Sequence, residues 1–331
     1  MRLSPTLRLL GALRSRLGDS VALLDPAEVP AARDRNGKLQ SGPLGRAVLG
    51  RRPPGVVVED RTVPGDGATL PVRVYHPPGG AVSPSTRRPV VMNFHGGGFV
   101  QGDLDQSDWF CGQVCLLAGA VVVSVDYRLA PEHPFPGPTR DCFAATHAVW
   151  RDAEAWGVDP DRLVVMGDSA GGNIATVVAL MARDRRRAGQ DAPRIAAQCL
   201  MYPGVEMVDV LPSEREIPHA PILSAEDIRG FHRLYLGGGD GTDPYASPLR
   251  AELSDLPPAL VQTAEHDPLR DHGARYAEAL AAAGVDVRFT CYQGAAHGYI
   301  SFPTLLPTTA HQAAWEVAHT VTALAAHSTP G

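Results

Sequence analysis

Two short runs in this chain have the residue types and spacing to do chemistry: His95-Gly96-Gly97-Gly98 and, further on, Gly167-Asp168-Ser169-Ala170-Gly171. Gly-x-Ser-x-Gly suits a sharp strand-to-helix turn that lifts a serine hydroxyl clear of a sheet. The glycines permit that turn, because a Cβ there would meet the neighbouring strand and helix. The triple glycine is nearly bare backbone, so its N–H groups can approach a substrate oxygen as an oxyanion hole requires. The expected donors are Gly97, Gly98 and Ala170, the last at a helix N-terminus whose dipole favours developing negative charge. A serine hydroxyl is a poor nucleophile and needs an adjacent base. Residues 258–264 read as a buried strand followed by Glu265-His266-Asp267-Pro268-Leu269. Residues 285–292 alternate like a strand, and Gly294-Ala295-Ala296-His297-Gly298 follows. Ser169 is then the expected nucleophile and His297 the base, later acid, that handles its proton. Asp267 is expected to hold the imidazole tautomer, and the chemistry these residues suit is acyl transfer. Asp271 competes for the acid role, but it reads better as charge at a helix start.

These side chains need a scaffold that gathers strand ends. Strand patterns fall at about 56–62, 69–76, 89–94, 120–126, 162–167, 195–201, 258–264 and 285–292. Helical patterns at 139–156, 171–183 and 270–283 lie between the later ones, the last stopped by Gly284. That alternation predicts an α/β fold, a mostly parallel sheet with helices on both faces. The first two strands, joined by Pro64-Gly65-Asp66-Gly67, read as an antiparallel hairpin. In an open parallel sheet the C-terminal strand ends share one edge, where sites are built.

Residues 204–248 break the pattern and are too long for a plain connection. Ser224-Ala225-Glu226-Asp227 reads as a capped helix start, followed by an apolar face of Ile228, Phe231, Leu234 and Tyr235. This insertion and residues 1–50 are read as a cap, with residues 51–331 as the catalytic domain; the insertion's helix could instead belong to the core. Leu3, Leu7, Leu10, Leu13 and Leu17 form one helical stripe expected to lie over the mouth of the site. Arg8, Arg14 and Arg16 interrupt any leader-like apolar run, though secretion or membrane-surface contact is the competing reading of this stretch. Phe99, Trp109, Phe231 and Tyr235 are the candidates to line an acyl or alcohol pocket.

Bulk properties exclude several classes of partner. A net charge of −6 argues against nucleic acid, and no apolar run reaches the ~20 residues of a membrane span. Five cysteines without framework spacing fit a reduced, cytoplasmic setting, with Cys111 and Cys115 as buried small residues one helical turn apart. His266, Asp271 and His272 lack the further ligands of a metal site. Asp126, Arg128, Glu132 and His133 read as an ion-pair network bracing the glycine loop, with His95 orienting that loop. The last strand, at a sheet edge, allows a monomer or a homodimer.

Further runs match a known family in order: Asn93-Phe94-His95-Gly96-Gly97-Gly98-Phe99, Asp126-Tyr127-Arg128-Leu129-Ala130-Pro131-Glu132-His133-Pro134-Phe135-Pro136, Gly167-Asp168-Ser169-Ala170-Gly171-Gly172-Asn173, Tyr245-Ala246-Ser247-Pro248-Leu249, Asp267-Pro268-Leu269-Arg270-Asp271 and His297-Gly298-Tyr299. In these the chain resembles the hormone-sensitive-lipase-like carboxylesterases of the α/β-hydrolase superfamily. The resemblance implies an eight-stranded α/β-hydrolase fold with a helical cap, and a serine esterase with no metal and no organic cofactor. It places the acid on Asp267. The implied partner is a small-molecule ester, read here as one of short to medium acyl chain. An amidase or deacetylase would use the same three residues. A non-catalytic receptor on this scaffold would have lost one of them.

Overall fold

The computed structural model describes residues 5–14, 20–40, 42–79 and 87–326. Before the sheet come α1 (Pro5–Arg14), α2 (Val29–Gln40) and α3 (Pro43–Leu49). Eight strands then form one sheet: β1 (Val57–Pro64), β2 (Thr69–His76), β3 (Arg88–Phe94), β4 (Val121–Val125), β5 (Val158–Asp168), β6 (Ile195–Met201), β7 (Ala259–His266) and β8 (Val287–Ala296). Their spatial order is β1-β2-β4-β3-β5-β6-β7-β8. The β1–β2 hairpin and the β2–β4 pair are antiparallel, and every pair from β4 to β8 is parallel.

The connections supply α4 (Asp108–Ala118), α5 (Gly137–Arg151), α6 (Ala153–Trp156), α7 (Ala170–Arg187), α8 (Pro212–Glu216), α9 (Ala225–Leu236), α10 (Arg270–Ala282) and α11 (Pro307–Ala326). β3 and β4 are buried on both faces, which is why they read as nearly continuous apolar runs. Alternate residues serve opposite cores. Val90, Met92 and Phe94 pack with α5, α7 and α10 on one face, while Val91 packs with α4 and α11 on the other. No described helix is long and apolar enough to cross a membrane.

The helix expected over 139–156 is two helices, α5 and α6, separated at Asp152. β5 starts at Val158, ahead of the expected 162, because Val158 pairs with Arg88 before the buried half of the strand begins. α11 carried no assignment from the sequence. Its buried face of Ala310, Ala313, Ala314, Val317 and Val321 is mostly alanine, which marks an apolar stripe weakly.

The N-terminal residues and the 204–248 segment meet above the C-terminal edge of the sheet. Leu7 of the expected leucine stripe is buried, and α1 passes Pro221 at Gly11. Leu3 and Leu17 of that stripe lie outside the described residues. α9 starts at a reciprocal cap: Ser224 Oγ accepts from Asp227 N at 3.1 Å, and Asp227 Oδ2 accepts from Ser224 N at 2.7 Å. Gly230 of α9 lies so close to Ala22 that a Cβ there would overlap the Ala22 carbonyl. One turn on, Arg233 Nη2 donates to Leu24 O at 2.9 Å.

Candidate active site

Each candidate group begins at the residue that follows a strand. His95 follows β3, Ser169 follows β5, Asp267 follows β7 and His297 follows β8. β3 is also where the strand order turns, with β4 on one side and β5 on the other, the place where open α/β sheets leave a crevice.

Ser169 has φ 55° and ψ −117°, a conformation that side-chain-bearing residues rarely adopt. The turn is held by close packing. A Cβ on Gly167 would overlap the Gly171 carbonyl, and one on Gly171 would overlap the Phe94 carbonyl. Ser169 N donates to Met201 O at 2.9 Å, and Asn173 Nδ2 ties the elbow to Gly204 O at 2.8 Å and Ala246 O at 2.9 Å. His297 Nε2 lies 3.0 Å from Ser169 Oγ, and His297 Nδ1 lies 2.8 Å from Asp267 Oδ2. An ionised carboxylate only accepts, so the Nδ1 proton faces Asp267 and Nε2 is free to accept from the hydroxyl. Asp267 is fully buried, its other oxygen accepting from Leu269 N at 2.8 Å. The structure thus brings the three residues into one hydrogen-bonded line.

Opposite the hydroxyl, Gly97 and Gly98 have φ of 120° and 64°, and Phe99 follows at 64°. Among the described residues the N–H groups of Gly97 and Gly98 have no protein acceptor. Ala170 opens α7 beside them. His95 stacks on Tyr127 with ring centroids 4.4 Å apart, and the Tyr127 hydroxyl donates to His95 O at 2.7 Å. Asp168 was not singled out from the sequence. Its Oδ1 accepts from Gly96 N at 2.9 Å, tying the elbow to the glycine loop, and burial pushes its carboxyl above the usual carboxylate range. The only signal was its place beside Ser169 in the motif.

A cavity of about 620 Å³ opens over Ser169, His297, Gly97, Gly98 and Ala170. Of the four aromatic candidates, Phe99 and Phe231 line it. Phe231 stands over the glycine loop, where a Cβ on Gly98 would overlap its ring. The other two are corrected. Tyr235 lies behind the wall, stacked on Phe99 at 3.7 Å, because one helical turn carries it past the opening. Trp109 sits on α4, on the far face of the sheet, against His311. Sequence reasoning missed Leu39, Val48 and Leu49 from the N-terminal segment, and Ile222, Leu223 and Phe302. They come from stretches whose contacts no local pattern fixes.

Other polar candidates go elsewhere. Asp271 accepts from Ser213 N at 3.0 Å and pairs with Arg270, so it braces α8 against α10. His272 meets Glu214 at 3.2 Å, whereas His266 faces Glu265 at 3.9 Å, so these residues do not converge. The expected network at Asp126–His133 is also divided, because its members find partners on different elements. Arg128 pairs with buried Asp141 of α5, and Glu132 with Arg33 of α2. Asp126 N donates to Pro71 O, and burial raises the Asp126 carboxyl.

Comparison with known proteins places this geometry. A family described as alpha/beta hydrolase fold matches residues 91–301. The chain is 46% identical over 264 residues to the esterase LipI of Mycobacterium tuberculosis, covering 78% of this chain and 80% of that protein. It is 37% identical over 243 residues to an ethyl acetate hydrolase of Pseudomonas putida, covering 73% and 74%. A solved hyperthermophilic esterase from Pyrobaculum calidifontis superposes with a TM-score of 0.86 at 38% identity, over 98% of this chain and 99% of that one. The chain is a carboxylic ester hydrolase, and it belongs to the hormone-sensitive-lipase-like carboxylesterases of the α/β-hydrolase superfamily.

Proposed function

We propose that the protein hydrolyses small esters of short to medium acyl chain through a covalent intermediate on Ser169. The observation that carries this reading is the line Asp267–His297–Ser169, with separations of 2.8 and 3.0 Å, at the floor of a cavity facing the glycine loop. Ser169 Oγ attacks the ester carbonyl carbon while its proton passes to His297 Nε2. The carbonyl oxygen takes the electron pair and is met by the N–H groups of Gly97, Gly98 and Ala170. Collapse breaks the bond to the alkoxy oxygen, which leaves with the proton from His297. Water then repeats the sequence on the acyl-enzyme and frees the acid. Asp267 stays ionised and stabilises the imidazolium.

Residues 1–50 and 204–248 act as the cap in this reading, since both contribute walls of the cavity. The aromatic stop at Phe231 and the relative named for ethyl acetate support a short to medium acyl group. Five free thiols, four of them buried, support a reducing cytoplasmic setting. The test is a fluorophosphonate labelling experiment followed by an ester series in which acyl and alcohol lengths vary separately. The expected result is one adduct, on Ser169, and rates that climb over the first few acyl carbons and then fall. An adduct elsewhere, or best turnover on long-chain triglycerides, would overturn it.

A further inference from the structure

Arg33 lies on α2, outside the sheet, yet its guanidinium reaches the back of the glycine loop. Nε donates to Val100 O at 2.7 Å, and Nη2 donates to Ala130 O at 2.8 Å. Glu132 takes the remaining edge, at 2.9 Å from Nη1 and 3.0 Å from Nη2. A planar fork with its outer edge held by a carboxylate has little freedom to turn, so the Nε direction is fixed.

Both contacts bear on the Gly97 carbonyl, one through a single peptide and one across the Cα of Ala130. The Val100 carbonyl that Arg33 grips shares a peptide unit with the N–H of Gln101, and Gln101 N donates to Gly97 O at 3.0 Å. A second path is mechanical. Arg33 holds the Ala130 carbonyl, and across the Cα of that residue Ala130 N donates to Phe99 O at 2.9 Å. The N–H sharing the Phe99 peptide, on Val100, donates to the same Gly97 O at 3.2 Å. The Gly97 carbonyl shares its own peptide unit with the N–H of Gly98. A trans peptide is planar, with C=O and N–H pointing in opposite directions. Fixing the Gly97 carbonyl therefore aims the Gly98 N–H. The relay has a cation at one end, and hydrogen bonds in series polarise one another, so the terminal N–H is also a stronger donor.

We propose that Arg33 is a positioning residue for the oxyanion hole, setting the direction and donor strength of the Gly98 N–H through the peptides of Val100–Gln101 and Gly97–Gly98. The proposal rests on the hydrolytic reading above. The loop that Arg33 braces includes Phe99, a bulky residue at φ 64° whose carbonyl accepts from Ala130 N.

The test compares wild type with Arg33→Ala and Arg33→Lys, using steady-state ester kinetics and a trifluoromethyl ketone. Ser169 Oγ adds to the carbonyl carbon of that ketone, its proton passes to His297, and the carbonyl oxygen becomes the hemiketal oxyanion. Arg33→Ala should lower kcat about 10- to 100-fold while KM changes less than about threefold, because the lost interaction matters only when the oxyanion forms. Affinity for the ketone should fall by the same factor as kcat, a coincidence that simple loosening of the cap would not produce. Added guanidinium ion at millimolar concentration should restore part of kcat. Where Arg33→Ala does not fold, Arg33→Lys decides. It keeps the charge but not the fork, and should lose about 3- to 10-fold in kcat and in ketone affinity alike. A folded Arg33→Ala, or failing that Arg33→Lys, with kcat within about twofold of wild type overturns the proposal, as does a loss carried by KM with ketone affinity unchanged. Fluorophosphonate labelling of wild type separates the two levels. No adduct on Ser169 sinks the hydrolytic reading and this one with it, whereas a normal adduct with an unaltered Arg33 variant sinks this one alone.

Discussion

Ser169 holds its hydroxyl on a strained backbone, and the strain is sustained by glycines too close to Phe94 and to each other to admit a side chain. Alanine fits the same space, so Ser169→Ala should fold normally and lose on the order of 10⁴-fold or more in turnover. Ester turnover by the purified variant checks this. The two aspartates of the Asp267–Asp271 run should separate cleanly. Asp267→Asn leaves the wrong tautomer facing Ser169, and a comparable change in a serine protease costs ~10⁴-fold. Asp271→Asn touches only the α8–α10 brace, so its kcat should stay within about tenfold of wild type. A reversed ranking would move the acid. The residues that meet here were legible because each directly follows a strand, and strand ends are readable. Asp168 and Arg33 were not, because each acts across the loop on a residue far away in sequence.

At the scale of elements, α9 places two aromatics one turn apart in different roles. Phe231→Ala opens the cavity above Gly98 and should move the acyl optimum towards longer chains, each added buried methylene gaining ~0.8 kcal/mol while room lasts. Tyr235→Ala removes a ring packed between Phe99 and Phe135, and should instead destabilise the fold by about 3–5 kcal/mol, read by denaturant unfolding. The apolar face of α9 was legible from its spacing. Which member reached the cavity was not, since that depends on how the helix is docked. His232, on the same helix, carries a pH dependence. Burial and the nearby His272 push its imidazole down to about 4, and Glu214 opposes them only partly. In the unfolded chain a histidine takes up its proton near ~6.5, so the folded state lags in proton uptake and loses stability as pH falls from ~6.5 towards 4. Between pH 7 and 5 the unfolding free energy should fall less for His232→Asn than for wild type. An equal slope would place the pH dependence elsewhere.

At the scale of the whole molecule the centre of the sheet is buried on both faces while its edge strands are partly open, and the cysteines report on that burial. Cys111, Cys115, Cys142 and Cys199 are buried, and Cys291 on β8 is partly open. Burial pushes the Cys115 and Cys199 thiols up to about 12. A thiol reagent should therefore titrate one group quickly in the native protein and five after unfolding. Two or more fast groups would contradict the packing of α4, α5 and β6, which carry the four buried thiols. The sheet was legible in outline because its strands alternate with helices, while its roof came from two remote stretches whose meeting no periodicity announces. That meeting constrains how such proteins can be recombined. Gly230 fits against Ala22 with no room for a methyl group, and Arg233 is spent on the Leu24 carbonyl. A chimera that grafts residues 204–248 from a relative onto this chain would set a foreign surface against a native one at their tightest point. The two stretches are heritable as a matched pair, so a breeder of new substrate preferences gains by shuffling both together and loses by shuffling either alone.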